Sequence, residues 1–226
     1  MKKINRRNVI GMLGIAPFAG GVVARASTAE SKPEGSSSRE MIRDRYFPNV
    51  VLTTHEGKKV RFYDDLLKDK IVMINMMYAD CEGVCPGITA NLVKVQKALG
   101  KRIGEDIFMY SITLKPEQDT PKALREYAHM HGTKPGWFFL TGDPKDIEML
   151  RRKLGFTNPD KQLDADKSQH IGMVRYGNER LTRWAACPGM ANASWIVESV
   201  LFMDWPKTPQ TKGDRVTRPG EKGAQI

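Results

Sequence analysis

Ile71-Val72-Met73-Ile74-Asn75-Met76-Met77 has almost no polar side, and it stops shortly before a cysteine. An apolar run this short and continuous suits a strand buried on both faces, the kind found in sheets that carry helices on each side. The next twenty residues narrow the choice. Cys81-Glu82-Gly83-Val84-Cys85-Pro86 leads into Ile88, Leu92, Val95 and Leu99, which recur at helical spacing. Pro86 suits a first helical turn and Gly100 a stop. A buried strand, a cysteine-bearing loop and a helix in succession point to an α/β arrangement with chemistry at the strand's carboxyl end.

The remaining elements agree. Val50–Thr54 and Lys59–Phe62 flank His55-Glu56-Gly57 as an N-terminal hairpin. Ile107–Leu114 is a second buried strand, and Thr120 caps a helix to about His131. Trp137–Leu140 is a short strand, followed by a helix from Asp143-Pro144 to about Leu154. Ile171–Tyr176 and Arg180–Trp184 flank Gly177-Asn178 as a second hairpin, and Ala193–Met203 forms a last helix. The expected fold is α/β with a mixed central sheet flanked by helices and an extra N-terminal hairpin. A thioredoxin-like fold fits this order.

Lys2, Lys3, Arg6, Arg7 and Arg25 all precede Ser27. The adjacent arginines, the apolar Gly/Ala-rich stretch from Val9 to Ala24 and the Ala24-Arg25-Ala26 end read as a bacterial export signal of the twin-arginine (Tat) type over residues 1–26. Residues 27–44 read as a flexible linker, 45–204 as one domain and 205–226 as a disordered basic tail. Beyond the signal the chain carries 31 basic against 26 acidic residues, and the tail holds five of the former and two of the latter. The folded middle is therefore near neutral, which argues against nucleic-acid binding. The tail offers contact with an anionic membrane surface; a solvated tail is the plainer reading. The expected location is the periplasm, with a membrane tether if the signal stays uncleaved.

Cys81 and Cys85 straddle a helix start, where partial positive charge and unpaired N–H groups favour thiolate. Thiolates are soft ligands that select Cu(I), Zn or Fe–S, and in an oxidising compartment the same pair forms a disulfide. A purely structural disulfide across so short a loop stabilises little. The spacing alone leaves copper binding and dithiol redox work both open.

Tyr78-Ala79-Asp80-Cys81-Glu82-Gly83-Val84-Cys85-Pro86 resembles the CxxxCP signature of the SCO/SenC family, and Ser111–Pro121, with Pro116-Glu117-Gln118-Asp119-Thr120-Pro121, resembles that family's second segment. Trp137–Gly142 is similar to its next strand, and His170 falls where the family has its metal-binding histidine. The resemblance implies copper, Cu(I) or Cu(II), held by Cys81, Cys85 and His170. It implies a metallochaperone that supplies copper, or reducing thiols, for assembly of a cytochrome c oxidase CuA site or related copper enzyme. Its partners would be such a client subunit and another periplasmic copper chaperone. The alternative is a periplasmic thiol-disulfide oxidoreductase or peroxidase-like enzyme with Cys81 and Cys85 as the redox couple. Gln169 stands where the family has Asp, which leaves Asp164 or Asp166 to orient the imidazole, and Lys115 also replaces an Asp. No proline lies between Lys161 and Arg175, so His170 is the residue expected to face the dithiol.

Cys187 is the odd cysteine, readable as a resolving thiol, an auxiliary copper ligand with Met190, or a partly buried free thiol. His129 and His131 point to different helix faces and make a poor ligand pair. His55 is expected to be solvated in a turn. Met73, Met76, Met77, Met109 and Met173 fall in expected strands, where packing explains them.

Overall fold

The computed structural model describes residues 37–167 and 172–204. The chain divides into Met1–Gly35 and Ser36–Ile226, and only the second unit contains described residues. The signal expected over 1–26, His170 and the tail at 205–226 lie outside them.

Seven strands form one mixed sheet: β1 (Val51–Thr54), β2 (Lys59–Arg61), β3 (Ile71–Met77), β4 (Ile107–Thr113), β5 (Trp137–Gly142), β6 (Met173–Asn178) and β7 (Arg183–Pro188), in the order β2-β1-β5-β4-β3-β6-β7. β3, β4 and β5 run parallel, while β1 and β6 join them antiparallel. Every residue of β3 is buried, as its unbroken apolar run requires. The N-terminal hairpin forms as expected, Leu52 facing Val60. The helices are α1 (Ser38–Tyr46), α2 (Val84–Leu99), α3 (Pro121–Met130), α4 (Pro144–Lys153), α5 (Lys161–Ala165) and α6 (Ala193–Phe202). α2 packs on α6, and α3 and α4 on β5. Thr120, Asp143 and Asn192 cap their helices by accepting backbone N–H groups. This mixed sheet between helices is the thioredoxin-like fold.

Two departures from the expectations shape the ends of elements. The end of the stretch read as linker is helical: Ser37 and Glu40 close a capping box over α1, and the Arg39 guanidinium donates to buried Glu179. The second hairpin also turns later than expected. Gly177 and Asn178 belong to β6 and pair with Trp184 and Arg183, so the turn is 179–182. Glu179 decides this. Its carboxylate accepts from Arg39, from the Tyr63 hydroxyl at 2.6 Å and from the Asp69 N–H at 2.8 Å, which draws it inward at the strand end. Gly177 permits the strand path: a Cβ there would lie 2.4 Å from the Arg183 carbonyl oxygen.

A second buried ionic cluster anchors the segment leading to residues 168–171. The Arg151 side chain, 5% exposed, grips Asp164 through two bonds of 2.6 and 2.7 Å and Glu148 through two of 2.8 and 2.9 Å. It also donates to the Phe156 carbonyl, and Lys167 adds a bond to Glu148. Arg151 hydrogen bonding holds Glu148 down at about 2, against the cost of burial, and holds Asp164 well below the carboxylate range. Both folded values lie below the unfolded ones. The cluster's contribution is therefore complete above about pH 4.5 and fades as pH falls towards 2. Arg151→Met is expected to cost about 3 kcal/mol at pH 7, because it leaves Asp164 without its cation and Glu148 with only Arg152 and Lys167. It should also flatten the loss of stability between pH 4.5 and 2; urea denaturation at several pH values measures both.

Candidate metal centre

β3 delivers the chain to the site. After Met77 the Leu114 N–H donates to the Met77 carbonyl at 2.7 Å, extending the β3/β4 pairing one step past Thr113. The turn after β4 then folds back. Asp119, 2% exposed, accepts the Ala79 N–H at 3.1 and 3.3 Å and the Thr113 hydroxyl. The loop carrying Cys81 is thus tied to the second parallel strand by a carboxylate. Burial pushes the Asp119 carboxyl up, against the pull of Thr113, Ala79 and Lys115.

Cys81 and Cys85 are both buried, and neither is in a disulfide. α2 starts at Val84 with Gly83 as N-cap, and no side-chain oxygen caps it. The Cys81 sulfur fills that role. It receives the Cys85 thiol, the Cys85 and Gly83 N–H groups and the Tyr78 hydroxyl. Burial alone would raise this thiol; these donors outweigh it and hold Cys81 below the ordinary value. Cys85 is pushed up to about 12 by burial and by its donation to Cys81. Tyr78, raised to about 12 by burial and its bond to Cys81, sits under the Lys115 ammonium, 3.9 Å from the ring centroid. Tyr127, buried and bonded to Thr89 at 2.9 Å, also feels both cysteines. The arrangement can present a thiolate and a thiol, in direct contact, to one soft ion or one disulfide.

Two of the expected site residues, Cys81 and Cys85, are brought together. The third, His170, lies outside the described residues, and among the described residues no three His, Cys, Asp or Glu side chains converge on one point. Gly172, just after that segment, would place a Cβ 2.9 Å from Ile88 and 3.9 Å from Val84 of α2, so the chain returns beside the cysteine-bearing helix. Of the two carboxylates expected to orient the imidazole, Asp164 is committed to Arg151, while Asp166 acts electrostatically on Tyr78. Cys187 is buried in β7, and burial raises it to about 11. Met190 is exposed, its sulfur against Gly87 in the first half of α2. His55 is half-buried rather than solvated: its Nδ1 accepts the Phe139 N–H at 3.2 Å, and burial lowers it. Met73, Met76, Met77 and Met109 are core residues.

A family model described as SCO1/SenC matches residues 43–176, more than half of the chain. The chain belongs to the SCO1/SenC family. It is 33% identical to the SCO1 protein homolog of Bacillus subtilis over 88 residues, 38% of this chain and 44% of that protein. It is 33% identical to the SCO2-like protein RC0895 of Rickettsia conorii over 93 residues, 41% and 43% of the two. These matches span less than half the length of either relative. Among solved structures, BsSco, a member of the Sco family of cytochrome c oxidase assembly proteins, superposes with a TM-score of 0.57 at 25% identity. It covers 70% of this chain and 92% of its own. Bradyrhizobium japonicum ScoI with copper bound gives 0.55 at 24%, covering 68% and 96%.

Within this SCO1/SenC domain, sequence reasoning named the two cysteines but assigned no role to Tyr78, Asp119 or Tyr127. Asp119 had a visible signal, since it lies in the Pro-Glu-Gln-Asp-Thr-Pro segment; its task shows only when β3 and β4 align. Tyr78 adjoins the motif, and only the turn geometry aims its hydroxyl at Cys81. Iodoacetamide at neutral pH is expected to alkylate Cys81 well before Cys85. Tyr78→Phe removes one hydrogen bond to the thiolate, about 1.5 kcal/mol. The pH for half-maximal alkylation of Cys81 should then rise by roughly one unit, read by peptide mass spectrometry across a pH series.

Proposed function

We propose that this protein is an exported metallochaperone whose cargo is copper, carried by Cys81, Cys85 and His170 and passed to a cytochrome c oxidase CuA site or related copper enzyme in the periplasm. The observation that carries the reading is the buried contact between the Cys81 and Cys85 sulfurs at the start of α2, one poised as thiolate by four donors. The donor set fits the cargo. Two soft sulfurs already in hydrogen-bond contact need little rearrangement to take one Cu(I), and loss of the Cys85 proton on binding replaces the S–H bond with a metal bond. Tyr78 and the α2 N–H groups remain to orient the Cys81 sulfur. An imidazole from residue 170 would complete a three-ligand site with an open side for release. The copper-bound ScoI and the membership of BsSco among oxidase assembly proteins support the cargo and the client class. The twin-arginine pattern over residues 1–26 supports export.

A second reading has its own support in the unequal thiols. Cys81 as thiolate can attack a client disulfide, and Cys85 can then resolve the mixed disulfide, leaving the client reduced and a Cys81–Cys85 disulfide behind. The two readings part at His170.

An anaerobic Cu(I) titration against a competing chelator separates them. Wild type is expected to bind about one copper per chain. Cys81→Ser or Cys85→Ser should weaken binding at least a hundredfold, and His170→Ala roughly ten- to a hundredfold. Copper binding by His170→Ala equal to wild type would end the three-ligand reading. Client-disulfide reduction that survives His170→Ala would favour the reductant.

A further inference from the structure

A second guanidinium of the fold is half-buried and, among the described residues, has no counter-ion. Arg175 sits in β6, opposite Ile74 of β3 and Ala186 of β7. Among the described residues its hydrogen bond goes to the Gly155 carbonyl, from Nη2 at 2.9 Å, and no carboxylate pairs with it. Its Nε is buried with no partner at all. The remaining support is the Phe156 ring, 5.9 Å from the guanidinium carbon. Cations inside a protein are normally paired, because an unpaired one loses its hydration without return. Arg151 and Glu179 follow that rule in this chain; Arg175, half-buried, has no such partner among the described residues.

Beside Arg175 lies a cavity of about 370 Å³. Its walls are mostly apolar, formed by Ile42 and Tyr46 of α1, Phe47 just after it, Ile74, Leu154 and Trp184. The Phe47 and Trp184 rings meet at a tilt of 38° with centroids 4.5 Å apart, so this wall is an aromatic platform. Lys153 stands at the rim, its ammonium donating to the Arg45 carbonyl. The backbone is built to admit the guanidinium. Gly155 has φ of 72°, and a Cβ there would lie 2.5 Å from Arg175 Nη2, so any side chain at 155 would displace it.

We propose that this cavity binds an amphiphilic monocarboxylate, with the carboxylate on Arg175 and the apolar body between Ile42, Leu154 and the Phe47–Trp184 platform. The charge calls for one anion: among the described residues Arg175 lines the cavity with no carboxylate partner, while the Lys153 ammonium is engaged by the Arg45 carbonyl. A planar guanidinium recognises a carboxylate through paired N–H donors. The walls call for hydrocarbon. The volume sets the size: at about 30 Å³ per water-sized group it holds roughly a dozen non-hydrogen atoms, which is a medium-chain fatty acid such as decanoate. The site involves neither cysteine and does not depend on the copper reading.

The test is a titration of the full chain with decanoate below its micelle concentration, read by tryptophan fluorescence and by thermal shift, with decanol as the neutral control. Trp184→Phe assigns the optical signal. Saturable binding of decanoate, at least tenfold tighter than decanol, is expected. Arg175→Met, which keeps the side-chain volume, should lose most of that preference. Ala185→Leu, which leaves Arg175 in place and fills the cavity mouth, should weaken both ligands. Far-UV circular dichroism checks that each variant is folded. Equal binding of decanol, or decanoate binding unchanged in both variants, overturns the proposal, as does the absence of saturable binding.

Discussion

The sulfur of Cys81 takes the place of a helix cap, and the rest of the site is arranged around that substitution. A helix start leaves N–H groups that need an acceptor. Serine or aspartate usually supplies one from the N-cap position, but here that position is Gly83 and has no side chain to offer. The sulfur two residues earlier accepts them instead, and accepts from the Cys85 thiol and the Tyr78 hydroxyl as well. The helix gains its missing acceptor and the sulfur gains its charge. The same donors leave Cys85 as the protonated partner, so the two thiols differ although they share one loop.

That arrangement needs the loop to be held, and the parallel pairing of β3 with β4 does so. Met77 aligns with Thr113, so both strands finish at the same level and their outgoing turns meet. Asp119 exploits this by accepting from Ala79 on one side and Thr113 on the other. A buried carboxylate is costly unless its oxygens are satisfied, and here the bonds that satisfy it are the ones that position the cysteines. Lys115 lies over the Tyr78 ring where an acidic residue would have placed the opposite charge near the thiolate.

Buried charge is handled in two ways across the molecule. Glu179 and Arg151 are saturated: Glu179 joins α1 to the distant β6–β7 turn, and Arg151 joins α4 to α5, the next helix along the chain. Such clusters are costly to break and so define a single arrangement. Arg175 is only half-buried, with its Nε unpartnered and a largely apolar cavity beside it. The contrast within one fold gives Arg175 its interest.

Periodicity was sufficient for the elements whose environment is uniform along their length. The unbroken apolar run of β3 and the helical spacing of α2 can each take only one secondary structure, and the cysteines fall between them by simple chain order. The SCO/SenC signature was likewise readable as a string of residues. The turn at 179–182 was not, because Gly177-Asn178 looks like a turn locally and is overruled by Glu179 finding Arg39, Tyr63 and the Asp69 amide. The helix at Ser38–Tyr46 was missed because its polar surface shows no apolar stripe; its capping box and its tie to Glu179 stabilise it. The roles of Asp119, Tyr78 and Arg175 also belong to the tertiary structure. Residue types and their order determined which chemistry the chain carries. Which of those groups lose water, and what they meet when they do, depends on strands and turns distant in sequence coming together, and that is settled only in three dimensions.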